Sequence, residues 1–228
     1  MDGGKISQMG VSLVLLGPPG AGKGTQARKL ETAFGLVQLS TGDLLRAAVA
    51  AGTDAGRAAQ EVMARGDLVS DDIVIAILRD RLAQDDCAKG VIFDGFPRTR
   101  VQAAALDELM AETGNEITAA INLQVDDAAM VQRISGRYTC GACGEGYHDR
   151  FKVPAAKGVC DNCGGTEFKR RADDNAATVA QRLRAYHADT APLIEHYGAQ
   201  SVLRSVDAMQ SIDKVEADLN AIVNAALA

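Results

Sequence analysis

Lys23 closes a glycine-rich run, Gly17-Pro18-Pro19-Gly20-Ala21-Gly22-Lys23-Gly24-Thr25, whose residue types and spacing suit the binding of phosphate. Glycines let the backbone curl so that successive N–H groups point inward, and a following helix adds its positive end. A lysine in register can then reach the outer phosphates, while a nearby hydroxyl faces a magnesium ion. Here Gly24 follows the lysine, and the hydroxyl of Thr25 comes one place later than in the plain pattern. Such a loop has meaning only between a strand and a helix. The apolar run 11–16 supplies the strand; residues 26–34 supply the helix, with Ala27, Leu30 and Phe34 on one stripe. A bare tight turn would need the glycines but not the lysine, so the run reads as a polyphosphate site.

A second constellation is made of sulfur. Cys140-Gly141-Ala142-Cys143 and Cys160-Asp161-Asn162-Cys163 are two C-x-x-C knuckles separated by sixteen residues. That spacing suits a closed tetrahedral zinc site, which would fold its surroundings and do no chemistry. Four free thiols or redox pairs are the alternative. His148 lies close enough to be a further candidate ligand, although a hydrogen-bonding role suits it better. Cys87 stands alone and reads as a small buried side chain.

These residues sit in a chain of 228 with 47% hydrophobic and 24% charged residues, long enough for a sizeable core. The net charge of −6 and 4% aromatic content argue against a nucleic-acid or anionic membrane surface as the main partner. No apolar run approaches the roughly 20 residues that a membrane-spanning helix needs. Residues 1–10 have no apolar core of signal-peptide type and read as a loose leader. Paired cysteines in an odd total of five suit a metal site in a reducing compartment, and cytoplasmic residence is expected.

Strands and helices alternate along the chain. Strands are expected at 36–40, 90–94, 119–125 and 202–206, and helices at 70–83, 100–112, 127–135, 175–197 and 211–226. Residues 47–65 are alanine-rich and read as a small helical hairpin, with Gly52 and Gly56 as breaks. The alternation implies an α/β fold with a parallel sheet and helices on both faces. Ligands of such sheets bind at the carboxyl ends of the strands, where the glycine loop and Asp94 both fall. Between 136 and 174 the periodicity breaks, and the cysteines organise the segment instead.

Asp94 ends a strand opposite the phosphate loop, a position from which an acid can hold a magnesium shell through water; a turn at Gly95 and Pro97 would also explain it. Arg133, Arg137, Arg170 and Arg171 bracket the cysteine segment, with Arg98 at the sheet edge and Arg182 one helical stretch on. Arginines around an insert suit a lid that brings guanidinium groups over phosphates. Together with the phosphate loop, the stretches Ser40-Thr41-Gly42-Asp43-Leu44-Leu45-Arg46, Asp94-Gly95-Phe96-Pro97-Arg98-Thr99, Arg171-Ala172-Asp173-Asp174-Asn175 and Tyr186-His187-Ala188-Asp189-Thr190-Ala191-Pro192-Leu193 resemble bacterial-type adenylate kinases with a long zinc-bearing lid. The resemblance runs from about Val11 to the C-terminus.

The resemblance implies a P-loop NTPase-type core made of 11–39, 70–135 and 175–228, an AMP-binding insert at 40–69 and a zinc-ribbon lid at 136–174. It implies ATP, AMP and ADP as partners, with Mg2+ and Zn2+ as cofactors; a monomer is the default expectation, and the acidic balance already speaks against nucleic acid and membrane. Gly20, Ala21, Gly22, Lys23, Gly24 and Thr25 would hold ATP phosphates, with Arg133 stacking on adenine and Arg137 on phosphate. Gly146, Tyr147 and Gln210 match further ATP contacts. Thr41, Arg46, the backbone of Asp67, Leu68 and Val69, and then Gly95, Phe96, Pro97, Arg98 and Gln102 would form the AMP site. Gln102, four residues after Arg98, would offer its amide to adenine. Arg171 and Arg182 would close on AMP and the moving phosphoryl group, Lys23, Arg98, Arg137, Arg171 and Arg182 being the catalytic set. Asp173 and Asp174 match acids at the lid hinge. A kinase acting on GMP, UMP or CMP, and a zinc-ribbon NTPase acting on nucleic acid, are the competing functions.

Overall fold

The computed structural model describes residues 10–171 and 173–227, so most of the expected leader lies outside the described residues. At its centre is a five-stranded parallel sheet of order β2-β3-β1-β4-β8, formed by β1 (Val11–Leu16), β2 (Val37–Ser40), β3 (Gly90–Asp94), β4 (Ala119–Gln124) and β8 (Leu203–Asp207). β1 lies between β3 and β4 in register, Leu15 opposite Asp94 and Ile121. Side chains alternate across this strand, and each set finds its own core. Leu13 and Leu15 pack with Ala27 and Leu30 of α1 (Lys23–Phe34) and with Val215, Leu219 and Val223 of α9 (Ile212–Leu227). Val14 and Leu16 face the opposite layer, where Leu78 of α4 (Asp71–Leu82) and Leu106 of α5 (Arg100–Glu112) lie buried.

The alanine-rich stretch folds as α2 (Thr41–Ala50) and α3 (Asp54–Arg65). Gly52 turns the chain with φ +64°. Gly56 is not a break, as the sequence had suggested: it lies inside α3, where an added Cβ would stand 2.1 Å from the Ala48 carbonyl oxygen. It is the point at which the two helices touch. The long helix expected over 175–197 is also divided. α7 (Ala176–Ala185) passes into a π turn at Tyr186–Thr190, where the Ala191 N–H donates to the Tyr186 carbonyl at 2.8 Å, and α8 (Leu193–Ala199) begins after Pro192. Pro192 has no N–H to continue the ladder, and the wide turn lets the chain change direction.

After α6 (Asp127–Ser135) comes a small antiparallel sheet of order β6-β5-β7, made of β5 (Arg137–Cys140), β6 (Gly146–His148) and β7 (Phe168–Lys169). No helix is long and apolar enough to cross a membrane, among the described residues.

Candidate active site

The glycine loop hangs between β1 and α1. Gly17, Gly20 and Gly22 have φ of +140°, +85° and +95°, values that side-chain-bearing residues rarely adopt. At Gly20 space is also short, since a Cβ would stand 2.8 Å from Ile134 Cγ1. Lys23, the first residue of α1, donates from Nζ to the carbonyl oxygens of Gly17 at 2.6 Å and Pro18 at 3.0 Å. Burial draws its pKa down to about 8; Asp94 opposes the shift, and Arg98, Arg182 and Arg137 add to it. Asp94 projects from the end of β3, its Oδ2 accepting from Gln38 Nε2 at 2.7 Å. The same oxygen would lie 3.3 Å from a Cβ at position 24, so the glycine after the lysine keeps this carboxylate's approach open.

Beside the loop lies a cleft of about 570 Å3, lined by Thr41, Leu45, Arg46, Leu68, Val69 and Gln102 among others. A second cavity of about 540 Å3 runs along Gly17, Pro19 and Lys23, and the two share Leu68, Gly95, Arg98 and Arg182. Thr41 and Arg98 both reach the Gly95 carbonyl oxygen, Thr41 Oγ1 and Arg98 Nε each at 2.7 Å, so the turn after β3 fixes them together. Phe96 is buried in the core, and Pro97 lines the second cavity. Gln102, only 1% exposed, is held at both ends. Its Oε1 accepts from the Arg98 N–H at 2.8 Å, and its Nε2 donates to Asp71 Oδ1 at 2.8 Å. It lines the cleft with its amide already committed to protein partners. Asp67 lines the cleft, its carboxylate accepting from Arg65 Nε and Gln181 Nε2.

Three acids hold the arginines. Asp174, with a side chain 2% exposed, accepts from Arg137 Nε at 2.8 Å and Nη2 at 2.6 Å and from Arg182 Nη1 at 3.2 Å. Asp173 takes Arg182 Nη1 at 2.9 Å. Asp43 accepts from Arg46 and, at 3.4 Å, from Arg171 Nη2. Burial works against the Asp43 carboxylate, yet Arg46 and Arg171 hold its pKa below the usual range. Burial, with the charge of Arg182 beside Arg98 and of Arg137 beside Arg171 adding to it, lowers both Arg98 and Arg171 to about 10, and both stay charged at neutral pH. Asp43 and Asp71 had no assigned part in the sequence reading. Asp43 had a signal, lying three residues before Arg46 on one helix face. Asp71 had none.

Toward α6, Arg133 donates to the Ala208 carbonyl at 3.0 Å, and its guanidinium lies 5.9 Å from the ring of half-exposed Phe151. Gln210 follows in the same connection to α9, its amide donating to the Asp207 carbonyl. Gly146 opens β6. Tyr147 does not face the clefts: its ring is 3% exposed, and its hydroxyl donates to Cys160 Sγ at 3.4 Å.

The four cysteine sulfurs lie within 4.8 Å of one another. Cys140 to Cys163 and Cys143 to Cys160 are each 3.6 Å apart. A tetrahedron with bonds of about 2.3 Å has edges of about 3.8 Å, so the sulfurs are spaced for one ion. A Cβ at Gly165 would come within 3.3 Å of Cys140 Sγ and Cys163 Sγ, a tight contact that glycine avoids. The cluster can hold a metal. His148 is not part of it. Its Nδ1 accepts from the Arg150 and Phe151 N–H groups at 3.0 and 3.2 Å, which leaves Nε2 to donate to the Gln132 carbonyl at 3.1 Å. Its role is the hydrogen-bonding one. Cys87 is buried, as expected of a small core side chain.

A parallel sheet whose first strand feeds a lysine-bearing glycine loop, with a second cleft sharing its arginines, defines a phosphate-loop protein built for two adjoining anions. Comparison with known proteins narrows the class. The adenylate kinase family model matches residues 15–202. Adenylate kinases of Paramagnetospirillum magneticum, Rhizobium rhizogenes and Paracoccus denitrificans are 58%, 57% and 53% identical to this chain, over 94%, 93% and 95% of its length and 99%, 98% and 98% of theirs. The chain belongs to the adenylate kinase family.

Proposed function

We propose that the protein transfers a phosphoryl group from MgATP to AMP and back, giving two ADP, and so balances adenine nucleotides. The observation that carries this is the shared wall. Arg98 and Arg182 line both cavities, with Lys23 lining one and Arg46 the other. A phosphoryl group passing between two nucleotides needs cations at the junction, where negative charge spreads in the transition state.

ATP lies along residues 20–25, with Arg133 against adenine, the backbone near Gln210 and Gly146 alongside, and Arg137 on its phosphates. AMP takes the cleft of Thr41, Arg46, residues 67–69 and residues 95–98. Its phosphate has a second pKa of about 6 and is already ionised near neutrality, so no general base is required. The histidines agree with this: His148, His187 and His196 hydrogen-bond to Gln132, Asp127 and Asp107 and line neither cavity. Alignment and charge cancellation by Lys23, Arg98, Arg137, Arg171 and Arg182 do the work. The hard oxygens of Asp94 and Thr25 suit a magnesium shell, Asp94 acting through water; bound there, the ion neutralises the outer phosphate oxygens. Cys140, Cys143, Cys160 and Cys163 suit zinc, which holds the small sheet together. The protein acts as a cytoplasmic monomer.

Gln102 reads adenine by rotating its amide out of the Asp71 bond or by its fixed position against the ring. Phosphoryl transfer from MgATP to a panel of AMP, GMP, CMP and UMP tests the reading. AMP selectivity is expected; transfer chiefly to another monophosphate would replace the acceptor, and ATP hydrolysis without transfer would overturn the function.

A further inference from the structure

α1 carries Lys23 at its first residue and Arg28 near its middle, and the two face different parts of the protein. Arg28 reaches the first cysteine knuckle, more than a hundred residues away in sequence. Its Nη2 donates to the Gly144 carbonyl at 2.8 Å, and its Nη1 donates to that of Cys143 at 3.4 Å and lies 3.6 Å from Glu145 Oε2. The fit is close: a Cβ at Gly144, whose φ is +72°, would stand 2.9 Å from Arg28 Nη2. Glu145 is 15% exposed in its side chain and also accepts from Lys152, whose ammonium lies 5.4 Å from the Tyr147 ring. One guanidinium thus ties the active-site helix to the turn that presents two of the four sulfurs.

We infer that Arg28 is a positioning residue for ATP, a latch that holds the cysteine-bearing segment down on the core from outside the nucleotide site. The inference rests on the proposed function, in which this segment covers ATP. Closing a lid costs conformational freedom, and a contact made only in the closed arrangement shifts the equilibrium toward it. A nucleotide that needs closure then binds more tightly by the same factor. AMP takes the cleft of Thr41, Arg46, residues 67–69 and residues 95–98, to which Arg28 makes no hydrogen bond or ion pair, so its affinity is outside the latch's reach. The carbonyls that Arg28 grips belong to the knuckle, so whatever orders the sulfurs also orders the latch.

The test compares wild-type protein with Arg28→Ala and Arg28→Lys. A partly exposed, charge-assisted pair of hydrogen bonds corresponds to a change on the order of tenfold. Arg28→Ala should raise the KM for MgATP and its calorimetric Kd by up to that factor, with the KM for AMP unchanged and kcat unchanged or higher. Arg28→Lys should recover part of the loss. Stripping metal with a chelator should weaken MgATP binding to the wild type but add little to Arg28→Ala. An unchanged Kd for MgATP in Arg28→Ala would overturn the latch. So would both KM values rising together with a lower melting temperature, which is the mark of general damage. Failure of the proposed function shows differently, as wild-type protein that transfers no phosphoryl group; the calorimetric comparison can still be made then.

Discussion

Replacing Lys23 with methionine should abolish transfer and, at the same time, make the protein more stable. In the folded chain the ammonium lies at the cleft floor beside Arg98, Arg137 and Arg182, and its pKa falls from 10.5 to about 8. That difference corresponds to about 3 kcal/mol of unfavourable environment for the charged form. The cost is fully present at pH 7, where folded and unfolded chains both carry the proton. Between about pH 8 and 10.5 the unfolded chain keeps a proton that the folded chain releases, so wild-type stability gains as pH rises through that window. Methionine removes the cost and also removes the bonds to the Gly17 and Pro18 carbonyls, which offsets about 1–2 kcal/mol. The net expectation is a gain of about 1–2 kcal/mol at pH 7, or roughly 2–8 °C in melting temperature for a chain of this size. Urea titrations of both proteins at pH 7 and pH 9.5 measure the difference, in which every other titrating group cancels. The methionine variant should lead clearly at pH 7 and lose most of its lead at pH 9.5. A variant less stable at pH 7, or a gap independent of pH, would refute the account of the buried charge. Activity within tenfold of wild type would refute the phosphate-loop assignment, since loss of one such donor costs about 10^2–10^3 in rate.

Chelation of the cysteine site should lower the melting temperature, because the ion would hold together a sheet whose strands are only two to four residues long; an unchanged melting curve after proven metal removal would exclude a structural ion. Asp174→Asn removes the carboxylate that holds Arg137 and leaves Arg182 with Asp173 alone, so the unfolding free energy should fall by about 2–4 kcal/mol, with transfer impaired as well. A stability loss below about 0.5 kcal/mol would mean that Asp173 alone suffices. Gly136→Ala places a methyl 2.4 Å from His148 Nε2, at the start of the cysteine segment. Overpacking there should cost about 1–3 kcal/mol by thermal melting, and a neutral result would show that the His148 contact yields freely.

Much of this arrangement was legible because it is local. An apolar run, three glycines and a lysine define strand, loop and helix within fifteen residues, and paired cysteines declare their site by spacing alone. What escaped depends on contacts between distant segments. Gly56 looks like a helix breaker in isolation; only the approach of Ala48 shows why no side chain fits. The π turn at Tyr186–Thr190 keeps an apolar helical pattern on both sides, so the periodicity carried no warning of it. The two-ended grip on Gln102 requires Asp71, thirty-one positions earlier, and nothing in either residue's neighbourhood announces the other. Tyr147 matched a nucleotide contact by position, yet strand alternation turns its ring toward the sulfurs, where its hydroxyl meets Cys160 Sγ. Arg28 reads as one more charge on a helix surface until the knuckle is folded against it.

The acids are what make a cleft with so many arginines foldable at all. Arg98 feels the charge of Arg182, and Arg171 and Arg182 feel that of Arg137, while burial together with such neighbours draws the Lys23 pKa down. Their counter-charges differ in kind. Asp174 has a side chain 2% exposed and binds two guanidinium groups with four short contacts shared with Asp173, so it is a fixed part of the frame. Asp43 is 54% exposed in its side chain and holds Arg171 only at 3.4 Å. Water screens that contact, which makes it the weaker of the two kinds. A phosphate dianion brings more charge and more acceptor oxygens to Arg46 and Arg171 than one carboxylate does. On the proposed function, a phosphate that took Asp43's place at Arg46 and Arg171 would leave undisturbed the frame that Asp174 holds, and Arg137 and Arg182 would face the moving group with their geometry already set.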